Sequence, residues 1–302
     1  MKKNYLLPLF FSITLNADQF SFILYNDFFV GTDKHFTNGV SLSWIDDKKY
    51  FDKYDLGVSL NQMIITPTDI SKAQPQYDDI PYIGYSYISS YMFDIENDHF
   101  YEYRIELGVI GKNAKAQEVQ NGFHKLIGSA KAKGWDTQLS TYYTINSLFR
   151  YGDISYKKHL KHHLKLDWFN HFGVQVGNFS DDIFAGTILR FGYNYLENFN
   201  LHYPYLKEQI SLLNLNKIQK GFGWSISLGL NADFLFYSYI VNESQNEGYN
   251  IKKHNFNGSM YLGNDFYYNK HKITIFYDLQ SPYSVGQDLI NSFGGVIYNY
   301  QF

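Results

Sequence analysis

Residues 100–110 read F-Y-E-Y-R-I-E-L-G-V-I, and their alternation decides the fold. Tyr101, Tyr103, Ile105, Leu107 and Val109 share one face of a two-residue period; Glu102, Arg104, Glu106 and Gly108 share the other. A second run, Trp224 to Phe234, repeats the pattern. Its Trp224, Ile226, Leu228, Leu230, Ala232 and Phe234 alternate with Ser225, Ser227, Gly229, Asn231 and Asp233. In a soluble sandwich such strands stop after about five or six residues. These run to the roughly ten residues that a tilted strand needs to cross a bilayer. The apolar face then meets lipid, and the polar face lines the interior of a barrel.

Composition agrees. The chain has 302 residues, no cysteine and a formal net charge of −3. Its 29 Tyr, 26 Phe and 4 Trp make 20% of the sequence, and charged residues only 18%, against roughly a quarter in soluble domains. Nothing in the charge balance points to nucleic acid. The missing cysteine removes disulfides and thiolate metal sites. No apolar stretch reaches the roughly 18 residues of a membrane helix. Met1 to Ala17 reads as a secretory signal: Lys2 and Lys3 precede an apolar run from Tyr5 to Leu15, then Asn16-Ala17.

Twelve runs have the strand pattern: 20–30, 37–46, 53–63, 82–94, 100–111, 135–150, 163–178, 183–196, 222–240, 254–264, 271–280 and 292–302. An even count suits a bacterial barrel. The last run carries Val296, Tyr298, Tyr300 and Phe302 on one face, ending on an aromatic. The expectation is an all-β protein. A signal peptide (1–17) precedes a transmembrane antiparallel β-barrel of 12 strands (18–302), with a short helix in an extracellular loop. Parity puts the connections 29–36, 64–81 and 112–134 outside the cell and the Glu96-Asn97-Asp98 turn in the periplasm. The 197–221 connection is long for the periplasmic side. It holds a helix around Lys207 to Leu215, or the strand count is off by two.

The period changes after Ile110. Ala114, Gln117, Gln120, Asn121 and His124 recur at helical spacing on one face; Val119, Phe123, Leu126 and Ile127 form a second, apolar face. Gly128 is the expected stop. A histidine can take a proton from water near neutral pH. By parity this helix hangs over the rim where Asn26-Asp27 ends the first strand and Phe36-Thr37-Asn38-Gly39 opens the second. Adjacent strand residues point to opposite faces, so Asn26 and Asp27 share a site only at a strand end or bulge. Asp27 could orient the histidine or, with Asn26, ligate a hard cation such as calcium. Amides and a cation suit stabilisation of an oxyanion during ester cleavage. Taken singly, the helix histidine is more often a solvated or capping residue and Asn-Asp simple turn chemistry; the convergence of three separate segments brings the functional reading level.

At these residues the chain resembles the LpxR family of outer-membrane lipid A 3′-O-deacylases. The carrying motifs are Asn26-Asp27, Phe36-Thr37-Asn38-Gly39 and the segment Gly108-Val109-Ile110-Gly111 … Gln117-Glu118-Val119-Gln120-Asn121 … His124-Lys125 … Gly134-Trp135-Asp136 … Gln138. The resemblance implies a monomeric, calcium-dependent hydrolase in the bacterial outer membrane. Its site would face the exterior and remove the ester-linked 3′ acyloxyacyl chain from lipid A. It implies His124 as the general base, Asp27 with Asn26 at the calcium or oxyanion, Thr37 at or beside the family's site threonine, and Gln117 lining the site. Gln120, on the same helical face, joins Gln117 as an expected substrate contact. Some members carry an acid six positions after the histidine, where this chain has Ala130; either that acid is dispensable, or Glu118 or Asp136 supplies the charge, or activity is reduced.

Two other readings compete. One is a passive porin whose channel is lined by Glu102, Arg104 and Glu106. The other is an outer-membrane phospholipase or other lipid esterase; those are usually serine-dependent, and the sequence offers no convincing Ser-His pair and no G-x-S-x-G. His159, His162 and His163, among Lys157, Lys158 and Lys161, read as a solvated basic turn at the periplasmic foot of the seventh strand.

Overall fold

The computed structural model describes residues 18–26, 36–197, 199–200, 211–212, 220–282, 284–285 and 291–302. The signal segment, Met1 to Ala17, lies outside these residues. Twelve strands close into one antiparallel barrel. They are β1 (Gln19–Asn26), β2 (Phe36–Tyr50), β3 (Tyr54–Ile65), β4 (Ile83–Glu96), β5 (His99–Ile110) and β6 (Tyr142–His159). The second half holds β7 (Leu164–Gly177), β8 (Ser180–Tyr193), β9 (Phe222–Ser238), β10 (Phe256–Tyr268), β11 (His271–Gln280) and β12 (Asn291–Gln301). Each strand pairs with its chain neighbour, and β1 closes on β12 from Gln19↔Gln301 to Asn26↔Gly294. No helix among the described residues is long and apolar enough to cross a membrane.

The alternation in β5 sorts inside from outside. Glu102 and Arg104 are 0% and 1% exposed, whereas Ile105 and Leu107 are 53% and 57% exposed on the outer, lipid-facing wall. The polar residues do not leave an open lumen. Arg104, Arg150, Arg190 and Lys272 are fully buried in it. Each faces a carboxylate: Arg104 and Glu106 at 3.1 Å, Arg150 and Glu102 at 3.3 Å, Arg190 and Asp167 at 2.6 Å, Lys272 and Asp265 at 3.1 Å. Buried charge is tolerated when it is paired with an opposite charge in this way. The Asp265 carboxylate also accepts from Ser225 at 2.9 Å and Thr274 at 2.5 Å, and Asp167 accepts from Tyr195 at 3.1 Å.

We call the barrel end with the β5–β6 connection the upper rim. Beneath it, Ile23, Tyr25, Met63, Tyr85, Phe179 and Phe276 belong to one apolar cluster inside the barrel. The upper rim carries helix α1 (Ala116–Ile127), expected from the sequence, and helix α2 (Tyr239–Asn246), which was not. The run 222–240 reads as one strand, yet the chain turns helical after Ser238, whose Oγ accepts from the Val241 N–H at 3.4 Å as an N-cap. The other correction concerns the sixth strand. Expected from 135, it begins at Tyr142, because Trp135–Thr137 form a 3-10 turn closed by Thr137 N–H to Gly134 O at 2.9 Å. It then continues to His159. The count of twelve stands. In the long 197–221 connection Ser211–Leu212 is a short strand paired with Phe199–Asn200, not helix; Lys207 to Ile210 and Leu213 to Leu215 lie outside the described residues.

At the lower rim, His159 ends β6 and His162 and His163 occupy the 3-10 turn Lys161–His163 before β7. Glu197 gathers the charges there: Lys157 at 3.2 Å, Lys165 at 3.1 Å and His159 at 3.0 Å. Burial pushes its carboxyl up, but Lys165 and Lys157 outweigh it and hold the pKa at about 2.

Candidate active site on the outer wall

Helix α1 starts after Lys115, a left-handed residue, and stops at Gly128, whose φ of 72° suits glycine. The Gly128 N–H returns to His124 O, as does that of Ser129 at 2.8 Å. The entry to α1 is tied to the outside of the barrel. Asn61 and Tyr85 point into the lumen, so Gln62 of β3 and Ser86 of β4 point outward. Both donate to the Ala114 carbonyl, at 2.9 Å and 2.8 Å. Gly84 makes the contact possible, since a Cβ there would sit 2.4 Å from Ala116 Cβ. Ile64, Tyr82, Ala116, Ala132 and Trp135 form a small apolar cluster between wall and loop.

The helix turns its polar face inward. Gln120 is 3% exposed, and its Oε1 accepts from the Trp135 indole N–H at 2.7 Å. Gln117, Asn121 and His124 are half-buried. Val119, Phe123 and Leu126 face away from the wall, 42%, 45% and 82% exposed. The loop is braced from across the rim: Tyr249 OH donates to Thr137 O at 3.2 Å, and Ser140 N–H to Glu247 Oε1 at 3.0 Å.

His124 Nδ1 lies 2.5 Å from the carbonyl oxygen of Ala130. A carbonyl only accepts, so Nδ1 carries a proton, and in the neutral ring the lone pair is on Nε2. Ala130 thus engages the histidine through its backbone, without an acidic side chain. The two candidate substitutes stand elsewhere: Glu118 is exposed and 3.4 Å from Lys115, and Asp136 is exposed in the 3-10 turn. A hydrogen bond from the backbone at the helix start, aided by Lys115, keeps Glu118 below the usual carboxylate range.

Asn26 ends β1, and Tyr25 beside it is buried in the lumen, so Asn26 points outward. Tyr25 pairs with Gly39. By the alternation on each strand, Asn26 and Asn38 both point to the outer wall. Thr37 is the extra residue of a β-bulge: Phe36 pairs with Ile65 and Asn38 with Ile64. Bulges concentrate at barrel rims and next to active sites. Asp27 and the side chain of Thr37 lie outside the described residues. So the structure sets Asn26 on the β1–β3 wall and Gln117, Gln120 and His124 on the helix packed against β3 and β4.

Among the described residues, Asn38 Oδ1, Asn121 Oδ1 and Gln120 Nε2 are buried without a hydrogen-bond partner. Buried polar atoms are nearly always satisfied, and an exception calls for a reason such as a bound water or ion; others line the barrel interior, for example Ser41 and Ser43. The two orphaned oxygens are hard donors of the kind calcium takes. Among the described residues no three His, Cys, Asp or Glu cluster as a metal site. Asn38 and Asn121 stand inside the sequence motifs, but only their burial without partners singles them out. Trp135 likewise is visible as a motif residue, not as the partner of Gln120.

The comparisons with known proteins fit this geometry. The sequence profile of a family described as outer membrane protein LpxR matches residues 6–302. The solved structure of LpxR from Salmonella typhimurium superposes with a TM-score of 0.82 at 16% identity, covering 94% of this chain and 100% of that one. The β domain of the Bordetella autotransporter BrkA reaches a TM-score of 0.51 at 9% identity, covering 95% of this chain and 100% of that one. No curated protein sequence matches the chain. A barrel of 12 antiparallel strands, with a helix-bearing loop laid on its outer wall and a family match over nearly its whole length, belongs to the LpxR family of outer-membrane proteins.

Proposed function

We propose that this protein is a lipid A 3′-O-deacylase that hydrolyses the ester of the 3′ acyloxyacyl chain in the outer leaflet, its site facing the cell exterior. The observation that carries the reading is a histidine held with Nε2 free on the polar face of a helix, next to an outer wall that a membrane lipid reaches laterally. His124 Nε2 takes a proton from water as the oxygen attacks the ester carbonyl. The tetrahedral intermediate collapses, the carboxylic acid departs, and the imidazolium returns its proton to the 3′ alkoxide. The Ala130 carbonyl holds the imidazole in the required tautomer throughout.

Asn26, Asp27 and the orphaned oxygens of Asn38 and Asn121 are the residues that would hold calcium. When bound, it would supply positive charge beside the carbonyl oxygen as negative charge develops there. Thr37, at the bulge, borders the same place, and Gln117 and Gln120 offer amides to the sugar and acyl carbonyls. The channel reading is disfavoured by the lumen, where Glu102, Arg104 and Glu106 pack as buried ion pairs.

The test is His124→Ala, assayed by mass spectrometry of lipid A with folding confirmed by heat-modifiable gel migration. The expected result is a loss of about 100-fold or more, in the range general bases contribute. Full activity in the folded variant removes His124 from the mechanism.

A further inference from the structure

Helix α1 is amphipathic in the reverse of the usual sense: its polar face meets protein and its apolar face meets the surroundings. In water Val119, Phe123 and Leu126 would turn toward the core. Two further observations say what covers them. The first is depth. Outward-facing Leu60 and Ile88 form part of the apolar wall on β3 and β4. Ser86, one outward position above Ile88, already binds the carbonyl of Ala114 at the entry to α1. Asn113 donates to the hydroxyl of Tyr143 at 3.3 Å, and Tyr143 is an exposed tyrosine at the top of β6. Tyrosines at this height mark the boundary between hydrocarbon and headgroups. The helix therefore begins at that boundary, and its stripe continues the lipid-facing wall.

The second observation is charge. The connection from 111 to 141 carries Lys112, Lys115, Lys125, Lys131 and Lys133 against Glu118 and Asp136. All five lysines are exposed. An apolar stripe bordered by lysines is the composition of a helix that lies in an anionic membrane surface.

We infer that α1 is an interfacial anchor: Val119, Phe123 and Leu126 insert among the acyl chains of the leaflet, and the flanking lysines bind its anionic headgroups. The consequence is positional. The cleft between α1 and the β3–β4 wall is held at headgroup depth, where a lipid enters sideways without leaving the membrane. This assignment concerns the surface opposite His124 and stands whether or not the chain is a deacylase.

The chain's lack of cysteine makes the test direct. Val119→Cys, Phe123→Cys, Leu126→Cys and, as a control, Lys131→Cys each receive a nitroxide label. The full protein is reconstituted in vesicles of phosphatidylcholine with phosphatidylglycerol, with heat-modifiable migration as the folding check. Collision rates with oxygen and with a water-soluble nickel chelate report depth. Oxygen should dominate at the three stripe positions and nickel at 131. Nickel dominating at all three overturns the anchor. Spin–spin broadening between molecules at the stripe also overturns it, since a second copy would then cover the face. Replacing Lys125, Lys131 and Lys133 together by Glu should lower the oxygen-to-nickel ratio at 126; an unchanged ratio overturns the electrostatic half.

Discussion

Both rims of this barrel carry histidine among lysines, and they treat it in opposite ways. At the lower rim His159, Lys157 and Lys165 converge on one carboxylate, Glu197, and His162 and His163 stand exposed in a turn. At the upper rim His124 is half-buried and bonded through one nitrogen to a backbone carbonyl, with orphaned amide atoms on the neighbouring residues. Charge satisfied within the protein makes a structural foot. Polar atoms buried and left unsatisfied make a place that expects something else. Histidine spacing alone would favour the lower rim, where His159, His162 and His163 stand close in sequence; the state of the partners reverses that ranking.

The sharpest way to break this contrast is to remove acid from each rim. Asp27→Ala should lower lipid A hydrolysis about 100-fold or more, the scale of losing an oxyanion-stabilising element. Glu197→Gln should leave the rate unchanged, as measured on the same lipid A by mass spectrometry. Next comes the seat of the helix. In Gly84→Val the added side chain collides with Ala116, and overpacking of this kind costs about 1–3 kcal/mol. Shifting α1 off the wall should cut activity roughly 10-fold, with faster proteolysis of the 111–141 connection as the structural readout. Trp135→Phe is milder. It leaves the buried Gln120 Oε1 without its donor, a loss of about 1–3 kcal/mol in local stability. Hydrogen exchange of α1 amides should rise while the barrel strands keep their protection.

The smallest effect belongs to the lower rim. The Glu197 pKa is depressed when folded, so its stabilising contribution is complete above about 4.5 and is lost as pH falls toward about 2. Exchange of the amides around Lys157 and Lys165 should rise across that window and stay flat above it. Glu197→Gln should abolish the dependence.

Much of the barrel was legible because membrane strands must alternate. Ile105 and Leu107 out, Glu102 and Arg104 in, follows from the period alone. So does the helical face holding Gln117, Gln120 and His124. Three things were not legible, for three reasons. Trp135–Thr137 looked like a strand start because an aromatic next to polar residues fits either pattern, and only packing on Tyr82 decides for the 3-10 turn. Helix α2 followed β9 without a break in apolar character, so one apolar run hid two structures. The sequence offers Asp27 to orient His124 and Glu118 or Asp136 to supply charge beside it, and Asp27 lies outside the described residues; among those described, a backbone oxygen that no sequence pattern encodes meets the ring.

One measurement bears most directly on the claim that the upper-rim outer wall is a cation-assisted ester hydrolase. Lipid A is incubated with the folded, detergent-solubilised protein, once with calcium and once with a chelator, and its mass is recorded. Loss of one acyloxyacyl unit with calcium and not with chelator is the predicted result. An unchanged mass in both conditions would contradict the account and leave the His124 cleft without the chemistry assigned to it.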